Sequence, residues 1–211
     1  MSTSTSTTSR AGLALAVATP ALACGAIGLT HPGILDASTA EHWRNMHLAL
    51  IPIFPLIGLA PWLIARRAGV WLGRLGALFG FGFAAFYTSL DVLAGVAGGA
   101  LVLAGHEDAS DEVFALARVL GAIGVACLVL GGLTAGVAAF RVAGLRALPA
   151  SAVAVIGAIL VLEGHIYPGR GTVAMAFIAA GYAALALAVT RDGVLPHGAT
   201  GVGPVSASYP A

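Results

Sequence analysis

Residues 68–105 read AGVWLGRLGALFGFGFAAFYTSLDVLAGVAGGALVLAG, with Arg74 and Asp91 as the charged side chains. As one helix, about 38 residues rising 1.5 Å each reach roughly 57 Å, against a bilayer core of about 30 Å. The run is too apolar for the surface helix of a soluble domain and too long for a single upright span. Arg74 therefore marks one boundary, and a tilted span covers about residues 75–104. Working outward, similar runs occupy residues 11–30, 46–65, 113–140, 150–167 and 172–190. The expected fold is all-α: a polytopic integral membrane helix bundle with six transmembrane helices, or five if the first is cleaved.

Composition supports that solvent. Apolar residues make up 59% of the chain and charged residues 9%, where a soluble domain carries about a quarter charged. A net charge of +1 with no basic patch excludes a nucleic-acid footprint. Every basic residue is Arg, which reads as a coding bias and carries no function. Cys24 and Cys127 have no CxxC spacing and read as packed, reduced thiols.

The organisation is one membrane domain, residues 11–191, between two disordered tails. Residues 1–10 are almost all Ser and Thr, and residues 192–211 are rich in Gly, Pro and Ser. The first run contains Pro20, which should bend it. Ala21-Leu22-Ala23 also resembles a small-x-small cleavage site, so a removed signal peptide is a competing reading, and a poorly matched lipoprotein box ends at Cys24. Ser38-Thr39-Ala40-Glu41 has capping-box spacing and predicts a helix starting at Thr39 and running into the second span. Pro52, Pro55 and Pro61 each remove a backbone donor there, so that span should be kinked.

Arginines give the orientation. Arg10, Arg66, Arg67, Arg74, Arg141, Arg146 and Arg191 fall on one side, Arg44 and Arg170 on the other, and Arg118 within a span. Short loops rich in Arg stay inside, so both termini are expected in the cytoplasm and the location is the cytoplasmic membrane. The loop at residues 105–112, GHEDASDE, is then outside with five of the six histidines.

Within the spans, Asp91 is the residue lipid should have removed, at about 2.5–3.5 kcal/mol on insertion scales. Tyr87, Thr88, Asp91, Gly95 and Gly98 share one helical stripe. That stripe predicts either an ion or proton site or a buried hydrogen-bonding group that holds helices in register. Arg118 and Glu163 lie at matched depth and are expected to pair or, for Arg118, to snorkel to the headgroups.

His31, His42, His47, His106 and His165 all fall on outer loops or helix ends. Imidazole with carboxylate suits zinc, and His42 with Met46, one helical turn apart, would suit copper. His47 with His165 is the credible pair for a shallow bis-histidine haem b. The metal or haem candidates are thus His42, Met46, His47 and His165. No GxSxG, HExxH, P-loop or dinucleotide fingerprint is present, and no catalytic machinery is expected. The leading expectation is a small binding, transport or accessory membrane protein. A bilayer is its first partner, and a membrane-protein partner or a second copy is a further one. The alternative is an outer-face metal- or haem-binding redox protein.

Overall fold

The computed structural model describes residues 5–190, and among them every regular element is helical. Residues 1–4 and 191–211 lie outside the described residues, as do Arg191 and the expected C-terminal tail. The elements are α1 (Thr5–Gly28), α2 (Ala40–Leu50), α3 (Phe54–Ile57), α4 (Leu59–Ala65), α5 (Val70–Leu90), α6 (Gly98–Leu103), α7 (Glu107–Ala143), α8 (Leu148–Gly164) and α9 (Arg170–Val189). A π turn, Asp91–Ala97, joins α5 to α6 without interruption. The Ser/Thr-rich segment expected to be a tail is helical from Thr5, as the first turns of α1.

Four helical stretches are long and apolar enough to cross a membrane: Arg10–Gly28, Val70–Leu103, Glu107–Gly164 and Arg170–Val189. A fifth exists if Ala40–Leu50 and Phe54–Ala68, bent by 40°, form one span. On this measure four spans stand, or up to five, where the sequence reading has six. The difference has two causes. The fourth and fifth apolar runs fall in one stretch of 58 residues, which turns at Gly144 (φ 63°) and a 3₁₀ turn, Gly144–Ala147. The second run is broken where expected: α2 ends before Pro52, α3 carries Pro55 and lasts four residues, and α4 carries Pro61. Each proline removes an N–H from the helical ladder.

The start of α2 also differs from the capping-box reading. Thr39 is the N-cap but makes no side-chain cap bond. Asp36 instead organises the turn, its Oδ1 accepting from the Ser38 N–H at 2.8 Å, the Ser38 hydroxyl at 2.6 Å and the Thr39 N–H at 3.0 Å. A carboxylate with three local donors competes successfully with a Ser hydroxyl. These bonds, Ser38 first, hold the Asp36 carboxyl below its usual range.

α9 is the central packing element, lying against α1 on one side and α8 on the other, while α5 lies along α7. Small residues permit these approaches: a Cβ on Gly181 would meet the Ala154 backbone of α8. Met175, Ile178, Tyr182 and Leu185 of α9 are buried between the two neighbours. Helices α2 and α6 and the π turn close one end of the bundle. The chain segments after α1, before α7 and after α8 meet there.

Candidate metal centre

Three histidines from distant parts of the sequence converge at that end. His31 follows α1, His47 lies on the last turns of α2, and His165 caps α8. One ring nitrogen from each lies within 4.8 Å of the other two. The rings touch: His31 to His47 centroids are 5.2 Å apart, His31 to His165 6.0 Å, and His47 to His165 5.9 Å.

The second nitrogen of each ring has a partner. His47 Nδ1 is 2.7 Å from the Trp43 carbonyl, one helical turn back, and donates to it. His31 Nδ1 donates to the Pro32 carbonyl at 2.7 Å. His165 Nδ1 and the Tyr87 hydroxyl are 2.6 Å apart; with the imidazole N–H donating to the phenol oxygen, its Nε2 keeps a lone pair. His31 and His47 are therefore oriented through Nδ1 with Nε2 left as the lone-pair nitrogen, the arrangement that second-shell partners impose on metal-binding histidines, and the Tyr87 hydroxyl orients His165 in the same way. His31 Nε2 is buried and has no hydrogen-bond partner, which costs free energy unless something fills the space it faces.

Burial keeps the imidazoles neutral. It lowers the His31 pKa and lowers that of His165 well below its ordinary value, where repulsion from His47 and His31, were they protonated, adds to the effect. A neutral imidazole is the ligand form. Trp43 and Tyr167 pack around the trio, the Tyr167 ring 4.1 Å from His31 and the Trp43 ring 5.3 Å from His47. Trp43 is itself fixed by donating from Nε1 to the Ala94 carbonyl of the π turn at 3.1 Å.

Asp91 stands to one side of the trio, fully buried, with Oδ1 3.8 Å from His47 Nε2. Both of its oxygens, and Thr88 Oγ1 one turn earlier, lack a partner. The π turn that begins at Asp91 shifts the stripe read from the sequence, and Gly95 rather than a larger residue faces His47: a Cβ there would overlap its ring. π turns concentrate at functional sites. His165 (φ 42°) is the non-glycine residue with positive φ among the described residues, a conformation that costs about 1–3 kcal/mol and persists where the surroundings impose it.

Of the residues singled out from sequence, Tyr87, Asp91, His47 and His165 are brought together, and Thr88 borders them. His42 is exposed and bonds the Thr30 carbonyl through Nε2 at 2.9 Å. Met46 is buried in the main apolar core. Glu163 does not pair with Arg118; it bonds Arg170 at 3.0 Å across the α8–α9 turn. With both partners about 70% exposed, at 75% and 68%, that pair adds little stability. Arg118 lies at the rim of a cleft that reaches His47 and His165. Sequence reasoning placed His31 on the outer side but not among the ligands, and it missed Trp43 and Tyr167. The signal available for His31 was its place immediately after an apolar run and before Pro32, which fixes the carbonyl it uses.

Compared with protein-family models, curated proteins and solved structures, the chain matches none of them.

Proposed function

We propose that this chain is a polytopic membrane protein that binds a single transition-metal ion, zinc by ligand type, through His31, His47 and His165. One observation carries the reading: three imidazoles converge so that one nitrogen of each lies within 4.8 Å of the others, each Nδ1 has a hydrogen-bond partner, and His31 Nε2 is buried without one. Zinc–nitrogen bonds of about 2.0–2.1 Å at tetrahedral angles place ligand nitrogens about 3.4 Å apart. From the 4.8 Å limit of the cluster, the nitrogens would close by about 1.4 Å to reach that spacing. Three histidines leave a fourth position for water or a substrate, the pattern of open rather than structural sites.

The geometry favours an ion over haem. A porphyrin would lie between the His47 and His165 rings, and His31 stands against both of them, with Tyr167 packed on His31 and His165. Six spans remain part of the proposal, with α7 and α8 counted separately because the chain reverses at Gly144 and the two pack together. Large apolar side chains on the outer surface, among them Trp71, Phe81, Leu130 and Ile159, suit lipid contact. The arginine distribution then puts the termini in the cytoplasm and the cluster at the outer face of the cytoplasmic membrane.

Purified in mild detergent and equilibrated with one equivalent of zinc, the protein is expected to retain about one ion per chain by elemental analysis. His31→Ala, His47→Ala and His165→Ala should each lose most of it, while His42→Ala and His106→Ala should not. Wild-type protein that stays free of zinc and copper under these conditions would refute the site. A transport reading is favoured by the unpartnered Asp91 carboxylate; metal uptake into proteoliposomes that Asp91→Asn abolishes would support it, and an ion that binds without crossing would count against it.

A further inference from the structure

Resting on the metal site just proposed, we infer that the protein is a hydrolase of amphiphilic amides or esters, with Asp91 as the proton acceptor and Arg118 as the headgroup contact. The juxtaposition behind this is an apolar cleft that reaches two of the three metal ligands, His47 and His165, and a buried carboxylate without a hydrogen-bond partner behind His47.

The cleft, about 310 Å³, reaches His47 and His165 and is walled by Leu90, Ala94, Phe114, Ala117 and Leu162. It opens where Leu162 and Arg118 are exposed. An apolar passage ending at metal ligands suits a molecule whose tail is hydrocarbon and whose polar bond lies near one end. Arg118 and Glu163 both border the mouth, but Glu163 is engaged by Arg170, so the cation at the rim is the group that faces an incoming head. Arg118 also borders the neighbouring cavity that holds Glu107 and Asp111, with no ion pair to either. A carboxylate head is, with phosphate, a class whose geometry a guanidinium matches through two hydrogen bonds.

Asp91 is outside the three-nitrogen cluster, yet its Oδ1 is 3.8 Å from His47 Nε2. That position fits an acceptor for a proton from water held at the fourth coordination position better than it fits a fourth ligand. In the reaction, the water oxygen bonds to the substrate carbonyl carbon as its proton passes to Asp91. The bond from that carbon to nitrogen or oxygen then breaks, and the proton moves from Asp91 to the leaving group. One water is consumed, a carboxylic acid and an amine or alcohol are released, and nothing is oxidised or reduced. The ion polarises the carbonyl and lowers the pKa of the water.

The test uses full-length protein in phosphatidylcholine nanodiscs with one zinc per chain confirmed by elemental analysis, and N-hexadecanoylglycine as the probe. Saturable release of hexadecanoic acid is expected from wild-type protein. Asp91→Asn should keep its zinc and lower kcat about 100-fold. Arg118→Gln should raise KM several-fold with kcat little changed, and N-hexadecanoylethanolamine, which lacks the carboxylate, should raise KM on wild-type protein in the same way. Zinc-loaded wild type that releases no more acid than His165→Ala would overturn the hydrolase while leaving the metal site standing. Asp91→Asn that turns over at the wild-type rate would overturn the role of Asp91. Protein that takes up no zinc would overturn the site and the inference together.

Discussion

At the scale of single residues, the site is built from side chains whose second polar atom is already used. Tyr87 is the clearest case, since its hydroxyl has a ligand histidine for a partner and its ring is packed against Phe54 and Phe83. Tyr87→Phe keeps the packing and removes the bond to His165 Nδ1. Zinc affinity is expected to fall about 10-fold or more, the usual effect of losing such a partner, with the melting temperature of the metal-free protein changed much less; titration calorimetry measures the first and a thermal melt the second. The histidines also set a pH dependence. Folding lowers the pKa of His31 and His165 below 6.5, so the unfolded chain takes up protons first as pH falls. Their contribution to stability is complete above pH 6.5 and is lost as pH drops from there through the lower folded values. Melting of metal-free protein between pH 8 and pH 5 should show a plateau and then a decline, and His165→Ala should flatten the decline. A melting temperature that rises on acidification would contradict the assignment. His47 and His165 were legible from sequence as a pair at equal depth. His31 was not singled out, because spacing along the chain says nothing about which loop folds back over a helix end.

At the scale of elements, the π turn and the broken second run decide which side chains meet. A regular helix through Asp91–Ala97 would put Tyr87, Thr88, Asp91, Gly95 and Gly98 on one stripe, as read from the sequence. The π turn keeps Asp91 and Gly95 buried but changes their register, so that Gly95 lies under the His47 ring and the Ala94 carbonyl takes the Trp43 indole. Gly95→Ala would force His47 or the helix aside, at about 1–3 kcal/mol for an overpacked interior site. The variant is expected to melt lower than wild type and to bind zinc at least 10-fold more weakly. Unchanged zinc binding would show that the close approach of the π turn to α2 is incidental. The prolines of the second run were legible, and so was their effect; the turn of π helix was not, since no residue type in DVLAGVA demands it.

At the scale of the whole molecule, four to five helical stretches long and apolar enough to cross a membrane carry an apolar outer surface, with the histidine cluster at one end. If the arginine asymmetry gives the orientation, that end faces outward. A single cysteine placed at Ala109, in a background with Cys24 and Cys127 replaced by Ala, should react with a membrane-impermeant maleimide on intact cells, and a cysteine placed at Leu145, in the turn after Gly144, should react only after lysis. Labelling in the opposite order would move the metal site to the cytoplasm and reverse the topology. The finding would also bear on the cleft, whose mouth at Arg118 lies toward the same end as Glu107 and Asp111.

Hydropathy and arginine placement alone were enough to require an all-helical chain and to locate its apolar runs, because those properties depend on the solvent each residue meets and can be summed along the chain. They were also enough to mark Asp91 as anomalous, since a carboxylate within an apolar run is costly unless it faces protein or water. The surroundings of Asp91, the division of the runs into helices and the identity of the third ligand were decided by the tertiary structure. His31, His47 and His165 belong to a loop, a helix and a helix cap that share no sequence period, and only the packing of α1 and α8 on α9, with α2 laid against the π turn and α6, brings their nitrogens together.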